Sequence, residues 1–201
     1  MSMIPEKPPF KLLDILYKKE FILFVVLVSI LIINSNISPY FLDLYNLIDS
    51  TFLFSEKAII ALTMTFVIIA RQIDLSVASI IAVSSCVLGY TTSLGYDTWL
   101  VISLTLLSGA ICGAFNGAII TKFAIPSIIV TIGTMSLFRG LAYSFLEDSY
   151  YNKFPKLVSN LGGGYLFGYI PYAFLTFIIL AIIFAFILHK TSVGKKIYSI
   201  G

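Results

Sequence analysis

Charged and hydroxyl side chains interrupt otherwise apolar segments of this sequence, and their chemistry could serve a function. Arg71 and Asp74 break the apolar stretch 58–93, and Ser76 follows them. A charged side chain in hydrocarbon costs at least ~2.5–3.5 kcal/mol, so such residues face a cavity, a partner or an interface. Interrupted hydrophobic segments are also how transporters build binding sites. The alternative is that Arg71 and Asp74 cap two helices at the cytoplasmic surface.

A second group of polar residues lies in the apolar segment Ser127–Leu146. Thr131 and Thr134 can bond back to carbonyls of their own helix and need no other partner. Arg139 either lines an aqueous pathway or reaches the outer interface by snorkelling, helped by Glu147 and Asp148 nearby, and we favour snorkelling. The candidate residues for a substrate pathway are Arg71, Asp74, Ser76, Thr131, Thr134 and Arg139.

A ladder of small residues marks the segment Trp99–Ile120. Gly109, Gly113 and Gly117 recur every four residues, which gives a helix a smooth face that another helix can approach closely. Asn116 could hydrogen-bond across that contact, because an unsatisfied amide in hydrocarbon is costly. We favour helix packing over a role in substrate binding for this ladder.

The composition indicates an integral membrane protein. Of the 201 residues 59% are hydrophobic and 11% are charged, against about 25% charged in soluble domains. The net charge of +3 is spread over loops, which argues against a nucleic-acid partner. Cys86 and Cys112 lie within apolar segments and form no CxxC motif, so we predict buried apolar residues rather than a disulfide or a metal site, and no catalytic motif occurs. We therefore predict no enzyme activity, no metal and no cofactor.

Hydropathy predicts an all-α fold with about six transmembrane helical segments. If the broken stretch crosses twice, both termini are cytoplasmic and most Lys and Arg side chains lie inside, as the positive-inside rule requires. Its first half, Ala58–Ala70, is short for a crossing, which indicates that the break lies somewhat below the membrane surface. Asp74 would then cap the next helix by accepting its free amides. The apolar segments are Phe21–Ile33, Ala58–Tyr90, Trp99–Ile120, Ser127–Leu146 and Pro171–Leu188.

The predicted organisation is a single membrane domain with short polar ends. Residues 1–20 form a cytoplasmic N-terminal segment, which is retained because no cleavage pattern follows the first apolar run. Residues 21–190 form the polytopic domain. Within it, 147–170 is predicted to be an ordered outer loop or cap, because three consecutive glycines with flanking tyrosines lie there. Residues 191–201 begin a further cytoplasmic segment.

Several stretches, taken together and in this order, resemble the permeases of bacterial ABC sugar importers of the ribose type. The segment Ser136–Gly140, with Glu56–Ala58 and Ala78, resembles most closely the rhamnose branch of that family. The resemblance covers the chain from about Tyr40 onward and identifies it with the N-terminal portion of such a permease. The matching stretches are Ala61–Ala70, Ile73–Ala78, Cys112–Gly117, Ile125–Met135 and Lys195–Gly201.

The resemblance implies a permease half in the bacterial inner membrane, surrounded by lipid. Its expected partners are a second permease subunit, identical or paralogous, a cytoplasmic ABC ATPase that hydrolyses ATP, and a periplasmic sugar-binding protein. The sugar would cross at the permease interface near the break at 71–76. Rhamnose is the first expectation, ribose-like sugars are the next, and the furanosyl signal molecule of a related branch stays open.

Two departures from the family pattern bear on function. This chain has Arg71-Gln72 where many relatives carry Gly-Gly, which puts a cation at the break. Relatives also continue beyond the position of Gly201 into a coupling helix and further spans, so 191–201 is expected to begin a truncated coupling loop. The alternative function is therefore a non-transporting scaffold or assembly partner, or an inactive permease remnant.

Overall fold

The computed structural model describes residues 19–146 and 150–201. Most of the predicted cytoplasmic segment 1–20, as well as Glu147 and Asp148, lies outside the described residues. The described residues form eight helices and one small hairpin. The helices are α1 (Lys19–Ile37), α2 (Leu44–Ile69), α3 (Val77–Ser93), α4 (Thr98–Phe123), α5 (Ser127–Leu146), α6 (Lys156–Gly163), α7 (Tyr172–Lys190) and α8 (Ser192–Ile200), and the strands are β1 (Tyr165–Leu166) and β2 (Ile170–Pro171).

The helix lengths confirm the prediction of an all-α membrane fold. Five helices in the described part of the chain, α1, α2, α4, α5 and α7, are long and apolar enough to cross a membrane. The apolar helix α3 is shorter, at 17 residues. Polar side chains within these helices bond mostly to carbonyls of their own helix, as Ser29 does to Val25 at 2.7 Å. Such bonding satisfies the side chain where no water is available.

The described residues 19–50 belong to one compact unit. The helix α1 ends at Ile37, two residues before Pro39, because the residue that precedes a proline is biased away from the helical region. A short turn then leads to Asp43, whose carboxylate accepts the Tyr45 N–H at 3.2 Å. Asp43 therefore caps the start of α2.

The helix α2 is longer than the sequence pattern predicts. It begins at Leu44 and spans 26 residues, which is about 39 Å at 1.5 Å per residue and enough to cross the hydrocarbon. Hydropathy missed its first half because polar residues such as Asp49 and Glu56 interrupt the apolar run there. The predicted shortness of the second span is therefore wrong, and it no longer argues that the break lies below the surface.

The second compact unit, Thr51–Gly201, contains the buried core. Its centre is the packing of α3 against α4 and α5. The core residues are apolar, and α4 approaches α3 closely at Gly109, where a Cβ atom would lie 3.2 Å from the Ser84 Oγ. The core side chains are Val83, Cys86, Cys112, Phe138 and Ala142.

Aromatic pairs connect α2 with α7 in the same unit. Phe66 and Phe184 meet edge to face with their ring centroids 5.2 Å apart. Phe54 and Phe174 do the same at 6.2 Å. Edge-to-face pairs are worth about 0.5–1.5 kcal/mol beyond their buried area, so they help to hold these helices side by side.

Two ends of this unit are distinguished below. The break end contains residues 70–76, the α4–α5 turn at 124–126 and the end of α8. The end of α8 is included because Gly201 closely approaches the Ile69 carbonyl. The loop end holds the α3–α4 turn and residues 150–171. The predicted loop at 147–170 is ordered where the structure describes it: it contains α6, and the β1–β2 hairpin returns the chain to α7.

The corner between α7 and α8 generates the first prediction. A Cβ atom at Gly194 would overlap the Leu188 carbonyl oxygen, so this close approach requires glycine. We expect Gly194→Ala to lower the free energy of unfolding by about 1–3 kcal/mol, the usual cost of overpacking. Thermal unfolding of the full chain in detergent measures the loss. Gly162→Ala is the control, because nothing lies within 4 Å of a Cβ atom there. Equal melting of both variants would contradict the prediction.

Candidate functional site

The break begins with an unusual helix end. The Gln72 N–H donates to the Val67 carbonyl at 3.0 Å, and the Arg71 N–H donates to the Ile68 carbonyl at 2.9 Å. This pair of bonds is the Schellman arrangement, in which the residue after the helix is left-handed and usually glycine. Here that residue is Arg71, with φ at 55°. A left-handed conformation costs an L-residue roughly 1–2 kcal/mol, so the surrounding structure must hold it.

Asp74 organises the chain just before α3. Its Oδ1 accepts both the Ser76 N–H at 2.8 Å and the Ser76 hydroxyl at 2.7 Å. Ser76 itself occupies the cap position of α3, and its side chain makes no capping bond. The prediction that Asp74 accepts free amides of the next helix is therefore wrong. Asp74 instead fixes Ser76, the residue that precedes α3.

A helix from further along the chain completes this arrangement. The Asn116 Nδ2 of α4 donates to the Ser76 Oγ at 2.8 Å. Both side chains are buried, with Ser76 0% and Asn116 4% exposed. The result is a continuous chain of bonds from the amide through the hydroxyl to the carboxylate. Among the described residues, the Oδ1 of Asn116 is buried without a hydrogen-bond partner, and so is the Ser79 Oγ in the first turn of α3.

The start of α5 holds the backbone of the break. The Ile73 N–H donates to the Ser127 Oγ at 3.1 Å, and the Ile73 carbonyl accepts from the Thr131 Oγ1 at 3.3 Å. Both polar groups of one non-helical residue are thus satisfied by side chains. We call Asp74, Ser76, Asn116, Ser127 and Thr131 the break clamp.

The predicted pathway residues are divided between two places. Asp74, Ser76 and Thr131 come together in the break clamp, and Thr134 is buried one turn further along α5, bonded to the Thr131 carbonyl at 3.5 Å. Arg71 is exposed beside the clamp and Arg139 lies at the loop end. Whether any of them contacts a solute stays a prediction. Sequence reasoning missed Ser127, although its place directly after Pro126 at a helix start was the available signal.

Among the described residues, another helix lies close to only one of the three glycines of the ladder. Gly109 faces α3, whereas a Cβ atom at Gly113 or Gly117 would meet nothing within 4 Å. Asn116, predicted to bond across a helix contact, lies in the break clamp. The role of the whole ladder in helix packing stays a prediction.

Two cavities lie at the loop end. One is an open groove with a volume of about 640 Å³, and Arg139 and Tyr143 of α5 lie on its wall. The other has a volume of about 450 Å³ and includes Lys153. Tyr151 lines both. The predicted help of Glu147 and Asp148 for Arg139 falls outside the described residues.

Comparisons with known proteins connect this architecture to membrane import. The family described as branched-chain amino acid transport system / permease component matches residues 46–201. The ribose import permease protein of Haemophilus influenzae is 33% identical over 185 residues, which is 89% of this chain and 56% of that protein. The ribose import permease protein of Bacillus subtilis is 36% identical over 183 residues, with the same coverage of 89% and 56%.

A third relative carries a different substrate in its name. The autoinducer 2 import system permease protein LsrC of Escherichia coli is 33% identical over 143 residues, 71% of this chain and 42% of that protein. The chain thus spans about half the length of the curated relatives it matches. No solved structure matches it.

The break clamp generates the second prediction. Thr131→Val keeps the shape of the side chain but leaves the Ile73 carbonyl without its donor, and such a hydrogen bond contributes about 0.5–1.5 kcal/mol net. We expect this loss in the free energy of unfolding of the full chain in detergent. Thr134→Val on the same buried face is the control, since Thr134 bonds within its own helix and to no other described residue. The clamp would be contradicted if the two variants unfolded alike.

Proposed function

Because the chain belongs to the family of the branched-chain amino acid transport system permease component, we propose that it is a permease subunit that imports a small hydroxyl-rich solute. It is a multi-pass protein of the bacterial cytoplasmic membrane. The observation that carries the proposal is the family match over 46–201, joined by relatives that are named for ribose and autoinducer 2 import. No step of this import requires catalysis by the chain itself.

A ribose-type sugar is the proposed solute. Two relatives are named as ribose import permeases, and each aligns with 89% of this chain. Autoinducer 2 is the second candidate. Rhamnose, expected from Ser136–Gly140 and Glu56–Ala58, stays a finer prediction that the uptake experiment below includes as a separate arm.

The proposed partners follow from the role of a permease component. A second permease subunit, identical or paralogous, would complete the pathway through the membrane. A cytoplasmic ABC ATPase would contact the break end and hydrolyse ATP, and an extracytoplasmic sugar-binding protein would deliver the solute to the loop end. Such importers alternate between two discrete states by rigid-body movement of packed elements.

The break clamp favours a role in transport over a role as a simple membrane anchor. A polar network at a helix break within an apolar bundle is a costly feature, and membrane proteins use such breaks where solutes or ions pass. A helix that served only as an anchor would need neither the break nor the buried Asn116. The same clamp connects the segment after α2 to α4 and α5, so it would pass movement of one helix to the others.

Solute uptake in the native organism tests the proposed function. We expect deletion of the gene to abolish or strongly reduce high-affinity uptake of radiolabelled ribose, and complementation with the native gene to restore it. Uptake of autoinducer 2 and of rhamnose is measured in parallel, and loss of either one instead would move the substrate to that solute. Normal uptake of all three, with a chain that purifies without any ATPase, would overturn the proposal in favour of a scaffold.

Replacing Asp74 tests the clamp in transport. Asp74→Asn keeps an oxygen that can accept the Ser76 N–H but removes the charge, and hydrogen bonds to charged groups are the stronger ones. We expect the initial rate of uptake to fall several-fold while the amount of protein in the membrane stays the same. Asp97→Asn is the matched control, because Asp97 accepts the Trp99 N–H at 2.9 Å in the same way at the loop end. A scaffold would be indifferent to both changes.

A further inference from the structure

We propose that the break end contains a binding site for an anionic phospholipid, with an acyl chain in a groove between α2 and α7 and the phosphate at the lysines of α8. This site does not depend on the proposed import, because it rests on the membrane fold alone. Three features carry it: an open apolar groove, an amphipathic helix across the end of that groove, and a concentration of basic side chains on and beside that helix.

The groove lies between α2 and α7, in the halves of these helices nearest the break end. From Ala181 to His189 it follows α7 for eight residues, which is about 12 Å, whereas one leaflet contributes about 15 Å of hydrocarbon. The Thr65 hydroxyl on its wall donates to the Ala61 carbonyl of its own helix at 2.8 Å. The rest of the wall is apolar and suits part of an acyl chain; its larger side chains are Leu62, Phe66, Phe184 and Leu188.

The helix α8 lies across the break-end edge of this groove. It begins at Ser192, directly after α7 ends at Lys190, and it is packed against α7 through the buried Gly194. Its other end reaches α2, since Gly201 closely approaches the Ile69 carbonyl. Because α2 and α7 are both long enough to cross the membrane, a helix that connects their ends lies at the depth of the lipid headgroups.

The side chains of α8 are those of a helix that lies in the membrane interface. Val193 and Ile200 are seven residues apart and therefore project on the same side, where they are 54% and 68% exposed. Lys195 and Lys196 are exposed as well. At the boundary between headgroups and acyl chains, such apolar side chains enter the hydrocarbon while the ammonium groups stay beside the phosphates.

The charge around α8 favours an anion. His189 and Lys190 are exposed at the end of α7, and Arg71 is exposed beside the far end of α8. The sequence contains no Asp or Glu from 149 to 201. The carboxylate of Asp74, in the break itself, is bonded to Ser76. Basic clusters where membrane helices meet the headgroups bind anionic lipids, and each Lys or Arg strengthens that binding about fivefold.

The groove favours a lipid over a protein partner at this place. A water-soluble ATPase subunit could reach Lys195 and Lys196, but it could not fill an apolar groove that continues along the membrane-spanning parts of α2 and α7. A phospholipid has both an apolar chain for the groove and an anionic phosphate for the lysines. The two features together therefore indicate a lipid with a net negative headgroup.

The test measures which lipid occupies the groove. The full chain is reconstituted in phosphatidylcholine bilayers that contain an increasing fraction of brominated phosphatidylglycerol or, for comparison, brominated phosphatidylcholine. Bromine quenches tryptophan fluorescence only at short range, so Phe184→Trp on the groove wall, combined with Trp99→Phe, reports on the groove. Phe186→Trp is the matched reporter, because Phe186 is 61% exposed two residues further along α7 and does not line the groove.

We expect brominated phosphatidylglycerol to quench Phe184→Trp at a several-fold lower mole fraction than brominated phosphatidylcholine, with a much smaller difference for Phe186→Trp. Lys195→Gln combined with Lys196→Gln should remove most of this preference, since each lysine contributes about fivefold. Lys153→Gln combined with Lys156→Gln at the loop end is the control and should leave the preference unchanged. All four lysines are exposed, so these substitutions leave the packing of the helices intact.

Equal quenching of Phe184→Trp by the two brominated lipids would overturn the site. A preference that survives the α8 substitutions, while the chain loses a copurifying ATPase, would assign the lysines to a protein contact and also overturn it. Leu62→Trp on the opposite wall repeats the measurement if Phe184→Trp fails to fold. Because quenching requires neither solute nor uptake, failure of the lipid site and failure of the proposed function give different results.

Discussion

The arrangement of helices around the break depends on how one residue outside a helix satisfies its backbone. Where α2 stops, the Ile73 N–H and carbonyl no longer have helical partners, and each hydrogen bond that replaces one contributes about 0.5–1.5 kcal/mol net. Ser127 and Thr131 provide those partners from a single turn of α5. The direction of α3 and its contact with α5 follow from this pairing, and the buried bond between Ser76 and Asn116 adds α4 to the same arrangement.

The sequence allowed the spans to be predicted because charge in hydrocarbon is costly and leaves a visible pattern. The break was found for this reason, and so were the ends of most helices. The start of α2 was missed because capping by Asp43 and local hydrogen bonding extend a helix through residues that hydropathy scores as polar. Hydropathy measures how a side chain partitions between water and an apolar phase, whereas backbone hydrogen bonds hold the helix together.

Sequence reasoning could predict only those residues of the candidate site that lie close together in the chain. Asp74 and Ser76 were evident because they interrupt an apolar run. Their partner Asn116 lies 40 positions away from Ser76, and Ser127 lies 54 positions away from Ile73, so no local pattern connects them. The small residues show the same limit. Spacing indicated a smooth helix face, but only the structure shows that Gly109 meets α3 while Gly89, outside the ladder, accommodates Tyr151.

The left-handed Arg71 has a mechanical consequence. Glycine at the end of a helix can exchange among many backbone conformations, and a residue with a β-carbon has far fewer of them. Two glycines would give the joint between α2 and α3 torsional freedom, whereas Arg71-Gln72 makes it stiff. If α2 rotates, we expect a joint of this kind to pass the rotation on to α4 and α5 through the break clamp rather than to absorb it as bending.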